Sequence, residues 1–335
     1  MLSSTFRRTA FAMAALAVPA VFPDAASAEG SGTADGAAGP LPRKSASLGA
    51  IAPAATFTRA AFGVGGVGLR NRLAGGIEVS ASSPPTRAAF LYWAVITSGP
   101  VPAAAKSVSI TRRQPAPASS TARLTGVVVG TGPQPCWSGD TISVLKASVP
   151  TSVASGNGLY EVVFPRGASG LTTGADPFST TGASPQVLPL LEGAALVVVG
   201  TGSNTVHVYD RGLSGSTFVA NSGLDYELTL PTAAGGAFAR FDSIGADGQY
   251  GRGRLALSGL ANEVTRVNGA AVAGPGSPYN DSDWNGALAG PTPQLWDVTS
   301  HDVTAQVSRG STSVRVSYTG GTDCLTPVAN VVAVR

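Results

Sequence analysis

Residues 87–96 read Arg-Ala-Ala-Phe-Leu-Tyr-Trp-Ala-Val-Ile, a run that stays apolar after its first residue. A strand wetted on one side alternates polar with apolar residues, so an unbroken run fits a strand covered on both faces. Residues 313–318 show the alternating kind: Val314, Val316 and Tyr318 fall on one face, and Ser313, Arg315 and Ser317 on the other. Working outward, similar short runs occupy 106–112, 123–129, 159–164, 194–199, 205–209, 225–230, 237–242, 252–257 and 328–334, each bounded by turn-forming residues. From residue 57 onward no window repeats apolar residues at helical spacing across three turns. Roughly 14 to 16 strands, joined by connections too short for crossover helices, imply antiparallel sheets. The predicted fold class is all-β, an antiparallel β-sandwich of jelly-roll type.

The first residues carry an export signal. Arg7 and Arg8 precede an apolar stretch from Ala10 to Phe22, and Ala26-Ser27-Ala28 supplies a small-x-small cleavage site. At about 13 residues the stretch falls short of the roughly 20 that span a bilayer. We therefore expect a signal peptide over 1–28, a disordered lead-in rich in Ala, Gly, Pro and Ser over 29–56, and a sandwich domain over 57–335 with a possible subdivision near 180–190. The expected location is exported: periplasmic, cell-surface or extracellular, with no transmembrane segment in the mature chain.

Composition narrows the function classes. Removing 1–28 takes the net charge from +3 to +2, and no basic cluster remains that would serve nucleic acid. Only 12% of residues are charged while 43% are hydrophobic, which separates this chain from a disordered one. Cys136 and Cys324 are the two cysteines. In an oxidising compartment they read as one disulfide closing a span of 188 residues, which chain entropy values at about 5 kcal/mol. Two free buried thiols are the alternative.

The order of segments resembles an uncharacterised secreted β-sandwich domain family of bacterial and archaeal cell-surface proteins. The resemblance is carried by Leu91-Tyr92-Trp93, Pro135-Cys136-Trp137, the Gly156–Tyr160 turn, Gly193–Gly200, Val208-Tyr209-Asp210, Trp296-Asp297-Val298-Thr299 and Gly321-Thr322-Asp323-Cys324. It implies a fold and an extracellular setting, and brings no catalytic residue with it.

Several constellations are candidates for chemistry. Asp281-Ser282-Asp283-Trp284-Asn285-Gly286 matches the opening of a calcium loop, with Asp281, Asp283 and Asn285 as alternating oxygen ligands. The closing position is Thr292, flanked by Pro291 and Pro293, so a structural calcium would need other oxygens; a solvated turn is the alternative. Asp242 and Asp247 lie in what reads as an acidic turn and are the weak candidates for a catalytic carboxylate pair. His207, between Val206 and Val208, reads as an outward-facing strand residue, and His301 as a loop residue. Gly63–Gly68 lacks the strand–helix context of a dinucleotide loop and reads as loop or strand. Trp137, Tyr279 and Trp284 fall in loops, where exposed rings stack on sugars or anchor proteins.

The expected function is that of an exported non-enzymatic β-sandwich binding a polysaccharide or a cell-surface protein through end loops, with calcium as an optional structural ion. A secreted hydrolase acting on glycans or glycopeptides through loop carboxylates is one alternative, and a purely structural matrix or coat component is another.

Overall fold

The computed structural model describes residues 45–69, 72–115, 121–135, 139–173, 187–218, 222–249, 263–274, 283, 294–320 and 325–335. Its strands, in chain order, are β1 (Ser45–Ile51), β2 (Ala55–Gly68), β3 (Ala74–Val79), β4 (Ala88–Thr97), β5 (Ser107–Gln114), β6 (Ala122–Thr125), β7 (Val127–Pro133), β8 (Thr141–Ser148) and β9 (Gly158–Val163). The second half adds β10 (Leu190–Thr201), β11 (Asn204–Tyr209), β12 (Gly223–Thr229), β13 (Ala239–Gln249), β14 (Val264–Val267), β15 (Ala270–Ala273), β16 (Gln294–Asp302), β17 (Ser313–Thr319) and β18 (Thr326–Val334). No helix among the described residues is long and apolar enough to cross a membrane.

The strands form an all-β, largely antiparallel sandwich, as the patterning predicts. Among the described residues there are three sheets: a nine-stranded one ordered β16-β13-β18-β11-β2-β10-β4-β8-β7, a four-stranded one ordered β3-β9-β5-β6, and a five-stranded one ordered β1-β12-β17-β14-β15. A simple jelly roll has two. Here the long sheet curls over itself, and each smaller sheet covers one half of its outside.

Strand β4 shows why. Leu91, Trp93 and Val95 pack outward against Ile77, Val108, Ile110, Tyr160 and Val162 of the four-stranded sheet. Tyr92, Ala94 and Ile96 pack inward, where they share a central core with Val206, Val208, Ile244, Trp296 and Val331 from the other half of the same sheet. A third core joins Tyr209, Phe241 and Val332 to Leu224, Tyr226, Val314, Val316 and Tyr318 of the five-stranded sheet. Burying a side chain of this size stabilises by about 1.5–3 kcal/mol, so a strand apolar on both faces is driven between two layers.

Four local readings of the sequence change. The segment 63–68 is neither loop nor phosphate cradle but part of β2, paired to β10 on one side and to β11, over its first half, on the other. Its glycines permit a close crossing: a Cβ at Gly65 would sit 1.9 Å from the Glu78 carbonyl oxygen of β3. The expected strand at 123–129 is two strands in two sheets, split at Gly126, where a Cβ would lie 2.2 Å from the Trp93 ring. Strand β1 lies inside the expected lead-in, pairing parallel with β12 and burying Ile51, so residues 45–51 are ordered. The acidic turn at 242–248 is instead the body of β13. Residues Arg43–Arg335 form one compact unit. The expected strand at 252–257 and residues 1–28 lie outside the described residues.

Candidate binding site

On β13, period-two alternation puts Arg240 and Asp242 on the face that carries Ile244 and Ala246 further along. Antiparallel β16 sets Asp302 opposite Arg240 and Ser300 opposite Asp242. With Val64 and Phe238 these residues line a cavity of about 460 Å³.

The floor of the cavity is a fixed ion pair. The Arg240 Nε donates to Asp242 Oδ1 at 2.7 Å and to Ser300 Oγ at 2.8 Å, while Nη2 donates to Asp242 Oδ2 at 2.5 Å. The guanidinium also lies over the Phe62 ring, 4.4 Å from its centroid. Asp242 is buried, which lifts its pKa, while the donors of Arg240 pull against that rise. At the rim Asp302 is exposed, and the Thr304 hydroxyl together with the Thr304 backbone N–H, which donates to it at 2.9 Å, holds its carboxyl below the usual range. Phe238, half-buried, supplies an apolar wall. Fixed donors and acceptors beside a ring can hydrogen-bond vicinal hydroxyls and stack on a sugar face.

The same geometry weakens the hydrolase reading of Asp242 and Asp247. Five residues of extended strand separate them by roughly 16 Å, well beyond the roughly 5–9.5 Å that glycoside hydrolysis needs. Both Asp242 oxygens are engaged by Arg240. Asp247, fully buried at φ +73°, accepts from Gln134 Nε2 at 2.5 Å and from Thr326 Oγ1 at 2.7 Å. Burial lifts its pKa to about 6.

The other sequence-derived candidates divide sharply. Asp283, the described member of the calcium-loop set, lies 2.8 and 3.0 Å through its two oxygens from the Nε2 of His301. His301 is a buried residue of β16 and not a loop residue. Asp281 and Asn285, the aromatic candidates Trp137, Tyr279 and Trp284, and both Cys136 and Cys324 lie outside the described residues. His207 does not face outward: it is 0% exposed, with Nδ1 3.0 Å from Thr56 Oγ1 and Nε2 without a partner. Burial lowers its pKa to about 4.

Sequence reasoning missed Phe238, Arg240, Ser300 and Asp302. A signal was present in residues 237–242, Ala-Phe-Ala-Arg-Phe-Asp, where Phe238, Arg240 and Asp242 share parity on a strand. Their partners on β16 were hidden, since pairing register cannot be read from one strand. Among the described residues no group of three or more His, Cys, Asp or Glu side chains is placed to hold a metal ion. Compared with family models and with curated proteins, the chain matches none.

Proposed function

We propose that the mature chain is an exported, non-enzymatic β-sandwich protein that binds a polysaccharide in the cavity between β2 and the β13–β16 ladder. The observation that carries this reading is the Arg240–Asp242 pair, oriented by Ser300 and Phe62 on the floor of a cavity walled by Phe238. In such a pair both Asp242 oxygens are held by Arg240, which leaves Asp302 at the rim as the cavity's other carboxylate, one short of the two that glycoside hydrolysis uses. That favours recognition over hydrolysis.

Export is supported from a separate direction. Gln134, just past the end of β7, and Thr326, at the start of β18, bond the two oxygens of one carboxylate, Asp247, although β7 and β18 are distant strands of the long sheet. Cys136 follows the first by two residues and Cys324 precedes the second by two. A disulfide between them would fit an oxidising compartment.

The test is a glycan array probed with the mature protein, residues 29–335. The reading predicts retention of a defined saccharide class, with affinity falling at least tenfold in Phe238→Ala. No retained glycan, or retention indifferent to that substitution, overturns it.

A further inference from the structure

Three of the side chains that line the cavity between β2 and the β13–β16 ladder ionise: Arg240, Asp242 and Asp302. Two of them cancel. Both Asp242 oxygens accept from Arg240, and the guanidinium is further fixed by Ser300 and by the Phe62 ring. Asp302 is left over. It stands opposite Arg240 on the ladder, yet Arg240 pairs with Asp242, and among the described residues Asp302 forms no ion pair. Arg335, whose guanidinium lies 6.0 Å from the Phe238 centroid, is bonded to Ser203 and does not line the cavity. The cavity therefore carries one uncompensated negative charge.

The position of that charge is set by the fold. Strand β16 ends at Asp302, and the Thr304 backbone N–H donates to Asp302 Oδ1 at 2.9 Å, so the carboxylate is held at the rim. The Thr304 hydroxyl, together with that N–H, keeps it ionised below the usual carboxylate range. An aspartate of this kind often serves its turn alone. Here it also lines a recess of about 460 Å³ beside a half-buried phenylalanine, a size within the roughly 300–1,000 Å³ of small-ligand sites. The interior pair excludes one class of saccharide. A uronate or sulfate would reach a cation in this recess only by taking Arg240 from Asp242. Asp242 is 1% exposed, and a buried carboxylate stripped of its partner is strongly destabilising. Asp302 repels the same groups at the entrance. Neutral hydroxyls meet no such barrier, and a protonated amine gains from the rim charge.

Resting on the saccharide reading above, we propose that the ligand of this cavity is a cationic glycan, a polymer of hexosamine with free amino groups, and that Asp302 is the residue that selects it. The sugar ring stacks on Phe238, its hydroxyls meet Ser300 and the Arg240–Asp242 pair, and its ammonium donates to Asp302. An ion pair open to water contributes little, and salt screens it. The preference for a free amine over the N-acetylated sugar is accordingly about three- to fivefold at low salt.

The test is calorimetric titration of the mature protein at about pH 5.5, where the amine is protonated and Asp302 ionised. The probes are a glucosamine oligomer, its N-acetylated counterpart and a uronate oligomer of equal length. Wild type is expected to bind the glucosamine form about three- to fivefold tighter than the N-acetylated form, with the uronate weakest, and to lose the difference at about 0.5 M salt. Asp302→Asn, which keeps an oxygen for the Thr304 N–H, should bind the two hexosamines alike. Phe238→Ala should weaken both. Equal binding of the two forms by wild type overturns the proposal, as does a preference that survives Asp302→Asn. In either case, binding that still falls in Phe238→Ala leaves the polysaccharide reading standing. Binding of none of the three by wild type overturns this inference, and a glycan array without a hit overturns the wider reading as well.

Discussion

His207 illustrates what a single side chain does here and why its role escaped the sequence. Alternation assigns it correctly to the face opposite Val206 and Val208, but that face is closed to water, with Thr56 and Tyr209 beside the ring. Which face of a central strand meets solvent depends on layers contributed from elsewhere in the chain. The cost is testable. A histidine with a folded pKa near 4 and an unfolded one near 6.5 is neutral in the native state, so the unfolded chain takes up an extra proton as pH falls between those values. Stability from this group is intact above about pH 6.5 and is lost progressively toward pH 4. We predict that His207→Gln flattens the slope of unfolding free energy against pH across that window by up to one proton. Denaturant titrations at pH 4.5, 5.5 and 6.5 measure it; an unchanged slope would place His207 in a wetter setting.

At the scale of elements, the strongest sequence signals were those with both partners encoded locally. The run at 87–96 and the alternation at 313–318 became β4 and β17 with the predicted faces, because burial on two sides or one is written in the residues themselves. Elements that depend on a neighbour were harder. The Gly-rich 63–68 segment looks like a loop until β3 is seen crossing it, with the Glu78 and Ser80 carbonyls where side chains at Gly65 and Gly63 would stand. Gly126 looks like a residue within one strand until the Trp93 ring is seen against it. Gly65→Val should accordingly cost about 2–4 kcal/mol, since backbone must move to admit the side chain. Chemical denaturation reads this directly, and a loss under about 0.5 kcal/mol would mean that β3 does not cross so closely. The acidic pair at 242 and 247 failed for a related reason: aspartates suggest turns, yet here Arg240 and the Gln134–Thr326 bonds satisfy them inside a strand.

For the whole molecule, strand content and antiparallel pairing were legible, and the curling of nine strands into one sheet was not. Curling depends on which residues facing halves bring together, such as Trp296 against Gly193, a pair separated by about a hundred residues. The same long-range closure frames the cysteine prediction. Non-reducing peptide mapping of the full chain expressed in a secreting host should yield one cross-linked pair containing Cys136 and Cys324. Recovery of both as alkylated thiols would remove the covalent tie and, with it, a main support for export. The proposed binding site too is a product of closure, since β2, β13 and β16 meet only because the sheet bends back on itself. Its occupancy can be followed at one atom pair, the Arg240 Nε–Hε resonance of arginine-labelled protein, assigned through Arg240→Lys. Titration with the saccharide selected on the array should shift that signal saturably. A saturable interaction that leaves it unmoved would contradict the placement of the ligand between β2 and the β13–β16 ladder.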